Sequence, residues 1–166
     1  MINMTNKPRI LIISCEHAVN TVPCEYQHLF KHDQHVLQTH RAIDFGASEI
    51  ASYLALSLHA ACVQATVTRL LIDCNRSLNH PSCLSEWSQS LASTEKETLI
   101  TQYYHPFRHQ LIHLLEACIN RGQPVFHLSV HSFTPMLHGI TRANDIGLLY
   151  DPSRHPEKQW AYQWKK

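Results

Sequence analysis

Gln123-Pro124-Val125-Phe126-His127-Leu128-Ser129-Val130-His131-Ser132-Phe133-Thr134-Pro135 is an apolar, alternating run that ends in a histidine and a polar turn. β-Branched and aromatic residues dominate Val125 to His131, Gly122 and Pro124 open the run, and Thr134-Pro135 closes it. It reads as a buried strand with His131 at its carboxyl end. In an open α/β sheet that edge is where ligand sites form. Taken alone, the histidine is equally well explained by a hydrogen bond to a loop, so the rest of the chain has to decide.

Arg9-Ile10-Leu11-Ile12-Ile13-Ser14 is a continuous apolar run of strand length, the pattern of a strand buried on both faces. Cys15-Glu16-His17 follows it, which puts a carboxylate and a histidine at a second strand's carboxyl end. Residues 25–41 are polar and rich in histidine and read as a surface excursion, with a short helical piece from Tyr26 to Phe30. Asp44 opens a helix in which Ile50, Leu54 and Leu58 share a face with Ala47 and Ala51. Its carboxylate is either a simple helix cap or a group facing the same crevice as the strand ends.

Ala65-Thr66-Val67-Thr68-Arg69-Leu70-Leu71-Ile72-Asp73 reads as a third strand, leading into Cys74-Asn75-Arg76. Arginine in such a setting calls for an anionic partner, which is either a surface salt bridge or a ligand. Residues 80–93 form a loop. Thr94 to Arg121 is helical in composition, with a capping-box-like start at Ser93, a kink or break expected at Pro106 and an apolar stripe of Leu111, Leu114, Leu115 and Cys118. His105, Arg108, His109 and His113 lie on or near it as solvated side chains. Asp145 to Asp151 reads as a fourth strand, and Trp160 and Trp164 share a face of a terminal helix opened by Pro156. The order of elements predicts a three-layer α/β/α sandwich around a mixed, mainly parallel sheet.

Composition removes several function classes. At 166 residues the chain is about one domain long. A formal net charge of +1 offers no broad field for nucleic acid or an anionic membrane. Only four glycines are present, with no nucleotide-binding glycine fingerprint and no G-x-S-x-G elbow. The six cysteines lack any C-x-x-C pair and no signal peptide precedes them, so they read as reduced thiols of a cytoplasmic protein. Ile50 to Val67 is interrupted by polar residues and divides into a helix and a strand rather than a membrane span.

What remains is a constellation. Strand ends and helix starts deliver Glu16, His17, Asp44, Arg69, Asn75, Arg76 and His131 to what can be one crevice. Two histidines and a carboxylate with an open position form a catalytic zinc set, and the arginines suit a dianionic or carboxylated substrate.

Four segments carry a resemblance. They are Ser14-Cys15-Glu16-His17-Ala18-Val19-Asn20 with Val22-Pro23, His40-Arg41-Ala42-Ile43-Asp44-Phe45-Gly46-Ala47, Thr68-Arg69-Leu70-Leu71-Ile72-Asp73-Cys74-Asn75-Arg76, and Val130-His131-Ser132-Phe133-Thr134-Pro135. In order, over most of Ile10 to Asp151, they resemble the motif series of the N-formylglutamate amidohydrolase family. The resemblance implies a zinc-dependent-exopeptidase-like fold, one domain over residues 1–166, and hydrolysis of an N-acyl amino acid, in the prototype N-formyl-L-glutamate to formate and glutamate. It implies Zn2+ or another divalent metal on His17, His131 and a carboxylate, either Asp44 or Glu16.

It further implies Arg69 at the oxyanion and Asn75 and Arg76 on the substrate's α-carboxylate, with Ser132 as a further substrate contact. Glu16 is the carboxylate beside a ligand that can act as base. The expected partner is a small carboxylated N-acyl amino acid. Related chains run on past this point, so the resemblance also implies a missing C-terminal part, and with it an exposed tail around Trp160 and Trp164 or pairing as a homo-oligomer. Two classes follow: an amidohydrolase, or a relative without turnover that keeps metal and carboxylate binding.

Overall fold

The structure, a computed structural model, describes residues 9–137 and 139–164. Strand β1 is Ile10–Cys15, helix α1 is Ala47–Leu58, strand β2 is Ala61–Gln64 and helix α2 is Ser93–Leu99. Helix α3 is His105–Asn120, strand β3 is Val125–Ser129, strands β4 and β5 are Met136–Leu137 and Ile140–Thr141, and helix α4 is His155–Trp164. The chain divides into two compact units, the first ending at Phe133 and the second beginning at Thr134.

In the first unit β1 is the central strand of a parallel sheet ordered β2-β1-β3. Its unbroken apolar run follows from that position, because consecutive side chains must fill opposite layers. Ile12 packs with Val63, Phe107 and Leu111 on one face, while Ile13 and Cys15 pack with Ala47 and Ala51 on the other. Thus α3 covers one side and α1 the other, which is the expected α/β sandwich. Ile12 and Ile13 are 1% and 0% exposed, and full burial of such a side chain stabilises the fold by roughly 1.5–3 kcal/mol.

The third strand lies earlier than the sequence suggests. Pairing with β1 runs from Ala61 to Gln64 and is extended once by the Ala65 amide to the Cys15 carbonyl at 3.0 Å. Residues 65–73, expected as a strand, instead turn: the Leu71 amide bonds to the Thr68 carbonyl, and the Thr68 hydroxyl donates to the Ala42 carbonyl at 3.0 Å. Val67, Leu70, Leu71 and Ile72 are all buried. Their apolar run reported burial, which an extended strand and a packed turn satisfy equally.

Pro106 does not break the long helix. Ile100–Tyr104 forms a π-helical segment in which the His105 amide reaches five residues back to Ile100. The wider turn leaves room at the position where proline has no N–H to donate and its ring would crowd a preceding carbonyl. At α1, the N-cap is Gly46 in the left-handed region at φ 76° rather than Asp44, whose side chain makes no capping bond.

In the second unit β4 and β5 form an antiparallel ribbon. The strand expected over Asp145 to Asp151 is absent: this stretch is irregular, with Ile146 and Leu149 exposed and no ladder partner among the described residues. The terminal helix forms as expected, with the Trp160 and Trp164 rings 4.4 Å apart. Among the described residues no helix is long and apolar enough to cross a membrane.

Candidate metal centre and its arginine-lined cleft

Parallel pairing of β1 and β3 places Ser14 opposite Ser129, and the ladder continues through the Val130 amide to the Ser14 carbonyl at 2.8 Å. His17 and His131 therefore leave the same sheet edge, and their ring centroids lie 4.9 Å apart. Asp44 is drawn in by its own amide, which donates to the His17 carbonyl at 3.1 Å. His17, Asp44, Asp73 and Glu16 are all buried, whereas His131 is partly exposed, leaving one open side.

One ligand atom from each of His17, Asp44 and His131 lies within 4.8 Å of the others. Asp44 Oδ2 stands 3.2 Å from His17 Nδ1 and 2.8 Å from His131 Nδ1. The far nitrogens explain why both Nδ1 atoms face inward. His17 Nε2 is 2.9 Å from Asp73 Oδ1, which can only accept, so Nε2 carries the proton there. Ser129 Oγ donates to Glu16 Oε2 at 2.7 Å; a hydroxyl has one hydrogen, so its 3.0 Å contact with His131 Nε2 must be accepted from the ring.

With a proton on each Nε2, the Nδ1 atoms of His17 and His131 both turn toward Asp44 Oδ2, so that either a ring proton or a metal ion sits between nitrogen and oxygen, and an N, N, O set with each histidine held from behind fits a divalent metal such as zinc. The same cluster can hold a metal ion of another identity.

Without metal the charges settle among themselves. Burial pushes Asp44 toward its neutral acid, yet hydrogen bonds from His131 and His17 win and hold it well below the usual carboxylate range. Burial likewise opposes ionised Asp73, which His17 and the Asn75 amide hold below its ordinary value. Burial disfavours charged His17, but Asp44 and Asp73 outweigh it and raise its pKa.

The other expected site residues fall around this centre. Arg69 sits on the turn after β2, not in a strand, and its Nη1 donates to Asp44 Oδ1 at 3.3 Å and approaches His17 Nδ1 at 3.1 Å. Asn75 Nδ2 is 3.4 Å from His131 Nε2. Arg76 Nε stands 3.9 Å from Asp73 Oδ2, with its carbonyl fixed by the Tyr104 hydroxyl at 2.8 Å. The Ser132 hydroxyl is buried with no partner among the described residues. Arg41, Arg69 and Arg76 line one cleft of about 340 Å³ together with Asp73, Ser85 and Glu86.

Glu16 is brought to His131 rather than into the ligand set, with its Oε2 3.5 Å from His131 Nε2. Its two oxygens accept from the Ser14 and Ser129 hydroxyls at 2.6 and 2.7 Å, and Ser14 in turn meets His127 Nε2 at 2.8 Å. Sequence reasoning did not single out Asp73 as the partner of His17, nor Ser14 and Ser129. The available signal was register: two serines at matched positions near the ends of neighbouring apolar strands.

The model of the N-formylglutamate amidohydrolase family matches residues 10–161. A solved structure, that of gene product Atu2144 from Agrobacterium tumefaciens, is similar with a TM-score of 0.77 and 31% identity over 86% of this chain. This chain spans 59% of that one. No curated protein matches it significantly. A family match running from the first sheet strand into the last helix, over residues whose side chains meet at one centre, shows that the chain belongs to the N-formylglutamate amidohydrolase family.

Proposed function

We propose that the protein is a metal-dependent amidohydrolase that cleaves a small N-acyl amino acid, in the prototype N-formyl-L-glutamate, to formate and the free amino acid. The observation that carries this reading is the junction of two parts: the His17, Asp44 and His131 donor set opens beside a cleft lined by three arginines. Zinc or another divalent metal, when bound, supplies Lewis acidity toward the amide carbonyl.

The chain's own groups do the remaining work. Arg69, already beside Asp44, takes the oxygen on which negative charge develops as the amide is attacked. Arg76 and Asn75 hold the α-carboxylate, the guanidinium by its planar fork. The unpartnered Ser132 hydroxyl gives the substrate a further hydrogen bond. Glu16 keeps the proton on His131 Nε2 through Ser129, which supports a positioning role more than that of a free base. Six free thiols support a cytoplasmic setting.

A second reading has its own support. The carboxylates at the centre are each engaged: Asp44 by both histidines, Asp73 by His17 and the Asn75 amide, Glu16 by two serines. Such a centre suits binding of metal and carboxylate without turnover. Formate release from N-formyl amino acids, measured after loading with zinc, cobalt or manganese, separates the two. Release that disappears in His131→Ala supports the enzyme, and metal binding without release supports the alternative.

A further inference from the structure

We propose that His105 and His109 form a second metal site, a two-histidine clamp on the outer face of α3 that takes a late first-row divalent cation, copper(II) more tightly than nickel(II) or zinc(II). No residue of the centre on His17, Asp44 and His131 enters it. Helix α3 buries Phe107, Leu111 and Cys118 in the core, so its opposite face is turned to solvent. His109 and His113 are exposed there and His105 is half-buried. The three follow one another at four-residue steps, the spacing by which a helix presents two imidazoles to a metal on one face.

Geometry singles out the first pair. The His105 and His109 rings have centroids 5.1 Å apart and planes inclined by 15°. With metal–nitrogen bonds of about 2.0–2.1 Å, two imidazoles on adjacent coordination positions have centroids roughly 4.5–5 Å apart, so these rings already stand at clamp distance. Side-chain rotation alone then turns one nitrogen of each toward a shared ion. The backbone beneath them is set: the π-helical segment ends at Tyr104, so the step from His105 to His109 lies wholly in regular α-helix, and Pro106 fixes φ between them.

The surroundings leave the nitrogens available. His105 meets the Tyr104 ring edge-on with centroids 5.8 Å apart, and the Tyr104 hydroxyl is already given to the Arg76 carbonyl. Among the described residues neither histidine makes a hydrogen bond or an ion pair. Arg108, between them in sequence, has its charge felt by Cys74, Tyr104 and His127, on the sheet side of the helix. Imidazole suits late first-row ions, and affinity within that row peaks at copper. The remaining positions of the ion are left to water or to a ligand from solution.

The test is calorimetric titration of the whole chain with copper(II) iminodiacetate, a chelate that leaves adjacent positions open on the copper and therefore holds paired imidazoles better than single ones. Wild type is expected to show a binding event that His105→Ala and His109→Ala each weaken about tenfold or more, the loss of a second, intramolecular donor. His113→Ala and His131→Ala should leave its Kd within twofold. Electron paramagnetic resonance of the bound copper should report two coordinated imidazoles in wild type and one in either weakened variant. Should His105→Ala fail to fold, His109→Ala on the exposed face reads the same loss.

No binding by wild type, or binding that survives both His105→Ala and His109→Ala, overturns the proposal and leaves the two rings as a surface stack. Binding that falls with His113→Ala while His105→Ala keeps it overturns the pair named here and moves the clamp one turn along α3. Binding lost in His131→Ala alone assigns the copper to the first centre and overturns the second site.

Discussion

His17 Nε2 lies 2.9 Å from Asp73 Oδ1, and this one contact decides which nitrogen of His17 faces Asp44. Asp73 also accepts from the Asn75 amide at 2.9 Å, so the carboxylate is held on two sides and cannot turn away. We therefore expect Asp73→Ala to weaken zinc binding by about 10–100-fold, the usual cost of losing a histidine's supporting carboxylate. Asp73→Asn, which keeps an acceptor oxygen, should recover part of the loss. Competition with a chromophoric chelator reads both, and an unchanged affinity in Asp73→Ala would reduce Asp73 to a loop staple.

The same centre makes the effect of zinc depend on pH. In metal-free protein His17 has a raised pKa, so its contribution to stability is complete below its ordinary value of about 6.5 and fades as pH rises through the folded value. Asp44 and Asp73 have lowered values, and their contributions are complete above about 3.9 and fade as pH falls toward the folded values. A zinc ion bound at His17 Nδ1 would have to displace the proton that the charged ring carries there. The gain in Tm on adding zinc should be small at about pH 5.5 and grow toward about pH 8, as thermal melts with and without metal will show. A gain independent of pH would remove His17 from the ligand set.

How far the sequence spoke depended on what each residue's neighbours had to be. Ile10 to Cys15 was legible because a strand buried on both faces leaves little room for polar residues, and few other elements show that in six residues. Leu70, Leu71 and Ile72 misled because they are equally buried in a turn, where burial carries no record of extension. Asp145 to Asp151 has strand-like residues but lacks a pairing partner, and a ladder is a property of two segments. His17, Asp44 and His131 could be picked out because polar groups at the ends of apolar elements are costly without a purpose. Ser14 and Ser129 could not, since a small hydroxyl inside a strand is unremarkable until its register partner is known.

Thiol reactivity offers a check on the core that is independent of metal. Cys15 and Cys74 are 0% and 1% exposed, and burial pushes both thiols up to about 12. Neither supplies thiolate at ordinary pH, whereas Cys24 is exposed. Iodoacetamide at about pH 8 should label Cys24 first in the folded protein and reach Cys15 and Cys74 only after denaturation. Early labelling of Cys74 by peptide mapping would contradict the packing of the segment that carries Asn75 and Arg76.

Glu16 provides the sharpest separation between orienting a ligand and accepting a proton. The chain of donors runs from His131 Nε2 to Ser129 Oγ to Glu16 Oε2, and Glu16 Oε2 is also 3.5 Å from the same ring nitrogen. Removing the hydroxyl in Ser129→Ala leaves a carboxylate close enough to take the ring proton after a small shift, so zinc affinity should fall by less than about tenfold. Glu16→Ala removes the acceptor on which two hydroxyls and, through them, the ring depend. Removing the acceptor of the buried Ser14 hydroxyl costs up to about 1–3 kcal/mol, so this variant should lose stability as well as about 10–100-fold in zinc affinity. Glu16→Gln decides the role. Its amide can still accept one of the two serine hydroxyls but not both, so an orienting Glu16 predicts weaker zinc binding alongside any loss of turnover. A Glu16→Gln protein that binds zinc as wild type does, with only its turnover gone, would return Glu16 to the part of general base.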